Sequence, residues 1–424
     1  MSATVFAASA AVAMISSPRR RSDIEALKRA AVPRARRNRA GAILQHMEEM
    51  TTGLRLSGTT LPVLDRARIY CCGITPYDVT HLGHAATFVW VDVLTRVLGS
   101  IGVDTQLCRN VTDVDDVLFA AAERSGSAYD AFASVQQFRF DQDMSALGVR
   151  EPQFAPRARR NVGQVIRLAA ALLTSAAAYE RGGSVYFRGA AVIGRAGLSP
   201  QEATALATEY GARLDDPAKD DPFDVAIWRR SADSEPGWPS PWGLGRPGWH
   251  AECAAMSLSV LGLAVDVLCG GDDLRFPHHA YQMAMAEAVT GVRPYARARL
   301  GVGVVCLDAA KMAKSTGNLV LVSEVLADHT PAALRLCLID RPWAQDWDYE
   351  AAELAVATAR LERLYSAAGR SSGQSSGESS QEAASAAIGA ALCDDLNVTA
   401  ALNIAEEAGG AAARGLIGTL GLSE

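Results

Sequence analysis

One stretch, residues 67–122, constrains the fold more than any other part of this 424-residue chain. Its apolar segment Ala67–Gly73 predicts a strand, the run that opens at His81 has helical spacing, and Gly102–Asn110 predicts a second strand. Strand, helix and strand in this order form the βαβ unit of a parallel sheet, which binds ligands beyond the carboxyl ends of its strands. Both predicted strands run into polar loops at those ends, so we expect an α/β fold with its site there.

The rest of the chain divides by composition. We expect a first half of the sheet domain at 54–134, an inserted α/β subdomain at 135–230, a second half at 231–349 and a C-terminal helical region at 350–424, with a Ser/Gly linker near 371–380. The inserted segment has hairpin character at Glu180–Phe187, and further strands are expected at Val265–Cys269 and Val302–Cys306.

Charge is distributed unevenly along the chain. Residues 1–40 hold nine basic and two acidic residues, a net +7, whereas the other 384 residues carry −13. An acidic body binds nucleic acid poorly, because phosphate contacts need a basic surface, and no apolar run is long enough to predict a membrane-spanning helix. We expect residues 1–53 to be a disordered or misannotated extension. Eight cysteines without the spacing of a disulfide scaffold predict a reduced, cytoplasmic protein.

The segment His81-Leu-Gly-His84 places two imidazoles three residues apart at the start of the predicted helix. A helix N-terminus attracts phosphate, and two histidines there can add hydrogen-bond donors to a reacting phosphate. A surface helix that happens to contain two histidines is the alternative for this motif alone.

The segment Lys311-Met-Ala-Lys314-Ser holds two of only four lysines in a chain with 37 arginines. Lysine is a compact charge on a flexible stem, suited to following a departing pyrophosphate, whereas the alternative is an ordinary solvated loop. HxGH followed about 230 residues later by KMxKS is the paired signature of class I aminoacyl-tRNA synthetase-like adenylating domains. The pair therefore favours chemistry on ATP over either alternative.

A third signal combines cysteine and histidine. Cys72 ends the first predicted strand, and the segments Gly248–Cys253 and Phe276–His279 lie far downstream. Such ligands suit zinc, and a site with three protein ligands leaves one position open for substrate. The alternative treats both cysteines as buried apolar residues, but it explains neither the histidine pair nor the placement at loop ends.

Residues Tyr70–Tyr349 resemble cysteinyl-tRNA synthetases and, more closely, the shorter cysteine ligases of mycothiol biosynthesis, with a weaker echo at Asp394–Ala400. The discriminating part is Gly73-Ile-Thr-Pro-Tyr-Asp78, which is typical of the ligases, whereas the tRNA enzymes tend to have Gly-Pro-Thr-Val-Tyr-Asp. The resemblance implies a class I synthetase-like Rossmann (HUP) catalytic domain with an inserted α/β subdomain and a C-terminal helical bundle.

The resemblance also implies the site residues. One zinc ion per subunit is expected on Cys72, Cys253 and His278, with Gln282 where the tRNA enzymes have a glutamate ligand. The expected catalytic residues are His81, His84, Lys311 and Lys314. Contacts to cysteine and the adenylate are expected from Cys72, Gly73, Ile74, Thr75, Thr87, Asn110, Val111, Thr112, Trp249, Gly271, Asp272, Asp273 and Val305. The chain departs from the family at Ala313 and Asp272, both usually serine, and at Ser184-Val185, usually Asp-Pro.

The resembling ligases adenylate L-cysteine with ATP and Mg²⁺ and transfer the cysteinyl group to the amine of glucosaminyl-inositol (GlcN-Ins), giving Cys-GlcN-Ins, AMP and diphosphate. Two alternatives are a cysteinyl-tRNA synthetase and a non-catalytic zinc- or nucleotide-binding relative. The acidic body and the 109 residues after Ser315 disfavour the first, and retention of both motifs disfavours the second. We expect a monomer that acts on small molecules, with neither a nucleic acid nor a membrane as partner.

Overall fold

The structure is a computed structural model that describes residues 53–77, 79–232, 235–312, 317–370 and 378–423. The predicted N-terminal extension, apart from Gly53, and residues 371–377 of the predicted linker lie outside these ranges. The elements below belong to one compact unit, Leu54–Glu424.

The strands are β1 (Arg55–Leu56), β2 (Thr59–Thr60), β3 (Arg66–Ile74), β4 (Asp104–Val111), β5 (Ala178–Arg181), β6 (Ser184–Phe187), β7 (Val225–Arg230), β8 (Trp238–Ser240), β9 (Gly243–Pro247), β10 (Val265–Gly271), β11 (Ala296–Val302), β12 (Val305–Leu307), β13 (Ala310–Lys311) and β14 (Trp347–Asp348). The α-helices are α1 (Leu82–Ser100), α2 (Asp116–Arg124), α3 (Tyr129–Ala146), α4 (Val162–Thr174), α5 (Ala190–Ala196), α6 (Pro200–Glu209), α7 (Trp249–Leu261), α8 (His278–Thr290), α9 (Val322–Asp328), α10 (Pro331–Ile339), α11 (Ala351–Ala368), α12 (Glu378–Cys393), α13 (Val398–Ala408) and α14 (Gly410–Leu420). Short 3-10 helices span Ala158–Arg160 and Asp272–Arg275.

A four-stranded parallel sheet in the order β11-β10-β3-β4 carries the fold. The central strands β3 and β10 are apolar on both faces, as strands covered on both sides must be: the successive residues Ile69 and Tyr70, and Val267 and Leu268, are all fully buried. β3, α1 and β4 follow one another and the two strands pair in parallel, so the predicted βαβ unit is confirmed.

The strand expected at Val302–Cys306 is wrong in its limits. The fourth strand of the sheet, β11, runs from Ala296 to Val302, whereas Val305–Leu307 belongs to a separate three-stranded sheet in the order β13-β12-β14. β11 lies at the edge, where alternate positions reach solvent, and its sequence therefore begins Ala-Arg-Ala-Arg. That polar alternation hides the strand from a search for apolar runs.

The segment between the two halves of the parallel sheet forms a five-stranded antiparallel sheet in the order β5-β6-β7-β9-β8. The predicted hairpin is confirmed, because Ala178–Arg181 pairs with Ser184–Phe187. This sheet reaches Pro247, and α3 packs its Phe140 against Phe88 of α1. We therefore propose that the inserted segment runs from α4 to β9, in place of the predicted limits 135 and 230.

Helix α1 lies between the parallel sheet and the C-terminal helices. Val89, Trp90 and Leu94 are almost completely buried, and a helix this apolar on all sides has to be covered on all sides. α10 packs on one side of it, and α11, α13 and α14 form the C-terminal bundle with α12. The core thus runs without interruption from the sheet to the end of the described chain.

One carboxylate is buried where α1 meets these helices. Asp92 accepts hydrogen bonds from Arg96 Nε at 2.6 Å and Arg150 Nε at 2.9 Å, and it also pairs with the fully buried Arg335. Arg335 Nε donates to the carbonyl of Leu420 at 2.6 Å. Burial alone would raise the pKa of Asp92, but Arg335 and Arg96 outweigh it and hold the pKa below its usual range. We call Asp92, Arg96, Arg150 and Arg335 the arginine junction.

Candidate active site

The carboxyl ends of the four parallel strands meet at one edge of the sheet. The chain order reverses between β3 and β10, since β4 follows on one side and β11 on the other. Crevices at such switch points are where open α/β sheets bind ligands. The edge bears residues of both predicted motifs, and we refer to it as the cleft.

The two motif histidines lie side by side at the start of α1. His81 is the N-cap, one residue before the helix, and its Nδ1 accepts a hydrogen bond from Gly83 N at 3.1 Å. The rings of His81 and His84 are 4.0 Å apart between centroids. A Cβ at position 83 would lie 2.9 Å from the His81 ring, so a larger residue there would displace this imidazole.

Both imidazoles are neutral at pH 7. Burial and the neighbouring His84 lower the pKa of His81 to about 3, although Asp273 opposes the shift, and burial lowers the pKa of His84 to about 4. Because His81 Nδ1 accepts a hydrogen bond, its proton sits on Nε2. His81 can therefore offer an uncharged N–H donor toward the cleft, as a phosphate oxygen requires.

The candidate metal ligands come together from three separate elements. Cys72 lies near the end of β3, Cys253 on α7 and His278 at the start of α8, and their ligand atoms all lie within 4.8 Å of one another. All three residues are buried. Within the described ranges, this is the one group of cysteine, histidine and carboxylate residues close enough to share a metal ion. We call it the donor cluster.

The hydrogen bonds around the donor cluster leave room for a metal. His278 Nδ1 lies 3.0 Å from His250 Nδ1, whereas its Nε2 is buried and has no partner among the described residues. Burial raises the pKa of Cys72, while the hydrogen bond from Cys72 and the neighbouring His278 hold the pKa of Cys253 well below its usual value. A buried imidazole nitrogen without a partner beside an acidified thiol is the donor chemistry that zinc prefers.

Gln282 touches the donor cluster without completing it. Its Oε1 lies 3.5 Å from Cys72 Sγ, and a neutral amide is a weak zinc ligand. Trp249 closes the other side, with its ring stacked on His278 at 4.3 Å between centroids and 20° between planes. The donor cluster therefore has an aromatic neighbour in Trp249, whose contact with cysteine stays a prediction.

A local irregularity in β3 presents the backbone of Gly73 to the cleft. The pairing of β3 with β4 shifts by one residue between Cys71 and Ile74, which forms a β-bulge. Gly73 N donates to Asn110 Oδ1 at 2.9 Å, and a Cβ at position 73 would lie only 1.7 Å from the carbonyl oxygen of Asn110. Only glycine permits this close approach of the two strand ends.

The other residues expected around the adenylate take up separate places. Asn110 Nδ2 donates to Thr112 Oγ1 at 2.9 Å, and Thr87 Oγ1 donates to the carbonyl of Gly83 at 3.2 Å. Three further positions surround these: Ile74 and Val111 are paired strand residues, and Thr75 starts the loop after β3. Val305 lies in β12 beyond the end of β11. Ile74, Asn110 and Val111 thus lie at neighbouring strand ends, whereas Thr87 lies in α1 and Val305 belongs to the separate three-stranded sheet.

The end of β10 brings two carboxylates into the cleft. Gly271 ends the strand, and Asp272 and Asp273 open the 3-10 helix that follows. Lys311 Nζ lies 2.7 Å from Asp273 Oδ2. Burial alone would lower the pKa of Lys311, but Asp273 outweighs it and raises the pKa. Lys314, expected as the second catalytic lysine, lies outside the described residues.

Comparisons with known proteins agree with the family resemblance seen in the sequence motifs. Residues 62–359 match the family described as tRNA synthetases class I (C) catalytic domain. The L-cysteine:1D-myo-inositol 2-amino-2-deoxy-alpha-D-glucopyranoside ligase of Thermomonospora curvata is 41% identical over 330 residues, which cover 77% of this chain and 79% of the relative. The ligase of the same name from Gordonia bronchialis is 44% identical over 316 residues, 71% of this chain and 75% of the relative. The chain belongs to this cysteine ligase family.

The predicted resemblance is confirmed, and so is the fold. The structure of Mycobacterium tuberculosis methionyl-tRNA synthetase bound by methionyl-adenylate aligns with a TM-score of 0.60 at 15% identity, over 80% of this chain and 81% of that chain. This cysteine ligase therefore shares the fold of the class I synthetases. The match to their catalytic-domain family is what relates it to the tRNA enzymes.

Several residues of the ligase site carry no sequence signal that would have revealed them. Arg299 of β11 pairs with Asp272, so a neighbouring strand neutralises the negative charge that Asp272 adds where the family usually has serine. His250 contacts His278, and Tyr210 contacts both Lys311 and Asp273. A pattern of residue types in sequence does not show which distant side chains meet, and these contacts depend on the sheet and on the inserted segment.

The segment after the lysine loop pairs with the histidine motif. Leu82 N donates to the carbonyl of Val320 at 3.0 Å, and Val322 N donates to the carbonyl of Thr80 at 3.0 Å. The backbone on the C-terminal side of Lys314 is thereby fixed to the residues around His81. In this ligase the segment that follows the lysine motif is thus hydrogen-bonded to the start of the histidine motif, more than 200 residues earlier in the sequence.

No helix in the described part of the ligase is both long enough and apolar enough to cross a membrane.

Proposed function

We propose that this cysteine ligase adenylates L-cysteine with ATP and Mg²⁺ and transfers the cysteinyl group to the amine of GlcN-Ins. The observation that carries the proposal is the meeting of two kinds of chemistry at one sheet edge. The donor cluster is suited to a thiolate, while the histidine pair and Lys311 are suited to phosphates. The names of relatives at 41% and 44% identity support the same substrates.

In the first step, an oxygen of the cysteine carboxylate attacks the α-phosphorus of ATP and the bond to diphosphate breaks. His81 and His84 are neutral, so they stabilise the transition state as hydrogen-bond donors and not as charges. Lys311, with Lys314 in the same loop, supplies positive charge to the departing diphosphate. Residues Asn110–Thr112 and Gly271–Asp273, with Thr87 and Val305, hold the adenylate at the strand ends.

In the second step, the amine nitrogen of GlcN-Ins attacks the carbonyl carbon of cysteinyl-adenylate. The amine loses a proton, the bond to AMP breaks, and the amide of Cys-GlcN-Ins forms. Holding both reactants in one cleft supplies much of the rate, because a bimolecular attack becomes effectively unimolecular.

We propose that the donor cluster holds one zinc ion per subunit through Cys72, Cys253 and His278. The three donors fit zinc, and His278 Nε2 has no other partner among the described residues. When bound, zinc supplies an affinity for thiolate over hydroxyl, which distinguishes cysteine from serine. Trp249 and Thr75 then enclose the rest of the amino acid.

Metal analysis tests the zinc assignment. Purified protein should contain one zinc per chain, and cobalt-substituted protein should show the absorption bands of a thiolate-ligated ion. Cys253→Ser should lose the metal, whereas Cys306→Ser, a partly exposed cysteine outside the donor cluster, should keep it. Metal-free protein with full adenylation activity would overturn the assignment.

The acceptor is tested by offering both nucleophiles. Protein given ATP, cysteine and GlcN-Ins should release AMP and form Cys-GlcN-Ins by mass spectrometry, while the tRNA for cysteine should stay uncharged. Charging of the tRNA without reaction of the sugar would favour the cysteinyl-tRNA synthetase, whose activity should also fall steeply with salt. Absence of cysteine-dependent diphosphate–ATP exchange would favour a non-catalytic relative.

We also propose that the protein is a cytoplasmic monomer. Light scattering checks the oligomeric state.

A further inference from the structure

Tyr210 lies between Lys311, at the end of the cleft proposed to bind phosphates, and the donor cluster, at the end proposed to bind the amino acid. It belongs to none of the sequence motifs. It directly follows α6 of the inserted segment. Its hydroxyl is 3.1 Å from Asp273 Oδ2 and 3.1 Å from the Asp273 carbonyl oxygen, to which it donates, and it accepts from Lys311 Nζ at 3.3 Å. One hydroxyl of the inserted segment thus joins a catalytic lysine to the end of β10.

Lys311 is held in place by several groups at once. Besides Asp273 at 2.7 Å and the Tyr210 hydroxyl, its Nζ lies 3.7 Å from Glu209 Oε1 and 5.4 Å from the centre of the Tyr210 ring. Glu209 and Tyr210 are consecutive residues. The partners of this ammonium group are therefore the turn after β10 and the end of α6.

These contacts compete with the role proposed for Lys311. An ammonium group that stabilises diphosphate has to leave Asp273, Glu209 and Tyr210 and approach the phosphates. When a binding-competent arrangement is only one of two, the apparent affinity for the ligand falls by the fraction of molecules that adopt it. Each contact that holds Lys311 in the observed position therefore weakens the apparent affinity for ATP.

The ring of Tyr210 contacts the other end of the cleft. It stacks on Trp249 at 6.0 Å between centroids and 30° between planes, and Trp249 in turn stacks on His278 of the donor cluster. A continuous series of contacts thus runs from Lys311 through Tyr210 and Trp249 to His278. The hydroxyl serves the lysine end of this series, and the ring serves the amino-acid end.

We propose that Tyr210 is a positioning residue that holds Lys311 away from the ATP phosphates until substrates bind, and that its ring supports Trp249 at the amino-acid end of the cleft. The proposal rests on the proposed adenylation of cysteine. It assigns the inserted segment a part in the first reaction step through a residue that itself contacts neither reacting atom.

Replacing the hydroxyl and the ring in turn separates these two roles. Tyr210→Phe removes the hydroxyl and keeps the stack, whereas Tyr210→Leu removes both. Tyr179→Phe is the matched control, because that hydroxyl also serves the inserted segment and donates to a carboxylate, Asp224 Oδ2 at 2.7 Å. KM and kcat for ATP and for cysteine are measured by diphosphate–ATP exchange, which needs no acceptor.

Tyr210→Phe should lower KM for ATP by about three- to tenfold, the effect of one hydrogen bond, and change KM for cysteine by less than about twofold. Tyr210→Leu should also raise KM for cysteine by about threefold or more, because Trp249 loses an aromatic neighbour. Tyr179→Phe should leave both KM values within about twofold. A merely structural role for Tyr210 would not tighten ATP binding, so a fall in KM is diagnostic.

An unchanged or raised KM for ATP in Tyr210→Phe would overturn the proposal while leaving adenylation intact. If the unsubstituted protein showed no exchange at all, the proposed function would fail instead. Calorimetric titration with a non-hydrolysable ATP analogue then decides on Tyr210, since tighter binding by Tyr210→Phe supports its role and equal binding rejects it.

Discussion

The arginine junction and the cleft are both buried polar regions, but their hydrogen bonds differ in how completely they are made. At the junction, Asp92 is bonded to three arginines, and Arg335 donates to two backbone carbonyls as well. Beside the donor cluster, the described part of the chain provides no partner for either carboxylate oxygen of Glu252, either ring nitrogen of His279 or the amide nitrogen of Gln282.

The difference separates polar groups that hold the fold from those that await a ligand. A buried polar group without a partner lowers stability by about 1–3 kcal/mol, so natural proteins leave few of them. Several of them lie next to Cys72, Cys253 and His278, which agrees with our proposal that ligands bind there. Completeness at the junction identifies it as structural, although four charged residues meet there.

At pH 7, the largest expected effect comes from one chemical change made in both regions. Asp92→Asn removes the counter-charge of the fully buried Arg335, so the free energy of unfolding should fall by about 3–5 kcal/mol. Burial and the neighbouring Cys253 raise the pKa of Glu252 well above its usual value, so Glu252→Gln replaces an acid that is already driven toward its neutral form. That variant should change stability by less than about 1 kcal/mol in urea unfolding.

If Asp92→Asn and Glu252→Gln lowered the free energy of unfolding by equal amounts, the distinction between the arginine junction and the cleft would be wrong. The distinction sharpens if Asp92→Asn, studied below its unfolding transition, keeps the KM values for ATP and cysteine of the unsubstituted protein.

The next effect is on adenylate formation. Lys311→Ala and Lys314→Ala should each slow cysteinyl-adenylate formation by roughly 10²–10³-fold and leave cysteine affinity nearly unchanged, because their charge acts on the ATP phosphates and on the departing diphosphate. Their unfolding free energies should stay within about 0.5 kcal/mol of the original. Lys219→Ala is the control, since its ammonium group donates to the carbonyl of Arg213 within the inserted segment. Collapse of cysteine affinity with turnover intact would contradict the assignment of this loop.

The last effect is a pH dependence, and it concerns the protein below pH 6.5. Unfolding exposes His81 and His84, whose pKa values rise from about 3 and about 4 to 6.5, so the unfolded chain binds more protons below pH 6.5. The free energy of unfolding should therefore fall as pH drops from 6.5 toward 4, by up to about 1.4 kcal/mol per pH unit for each histidine. Asp92, with its pKa lowered from 3.8, loses its contribution only below that pH.

Denaturant unfolding at pH 7, 6 and 5 checks this order. His84→Asn should show a shallower slope than the unsubstituted protein. Parallel slopes would mean that the histidine pair is not responsible for the loss.

Residues near the ends of apolar strands could be predicted from the sequence. Cys72 and Asn110 end predicted strands, and parallel strands bring their carboxyl ends to one edge whatever the rest of the fold does. Site residues that come from other elements could not be predicted from the sequence. β11 was misplaced because its edge position permits arginines, and Arg299 was therefore missed. Tyr210 was missed because its partners follow from how the inserted segment lies in the finished fold.

The sequence by itself determined the fold class, the family and the identity of the motif residues, because apolar periodicity and closely spaced motifs are local properties. Only the tertiary structure decided which side chains meet. It pairs Arg299 with Asp272 and Lys311 with Asp273, and it leaves one nitrogen of His278 without a partner among the described residues. The physical reason is that hydrogen bonds and ion pairs act over a few ångströms. Neighbours at that range come from strands and helices far apart in the chain, and the packing of those elements sets the distances.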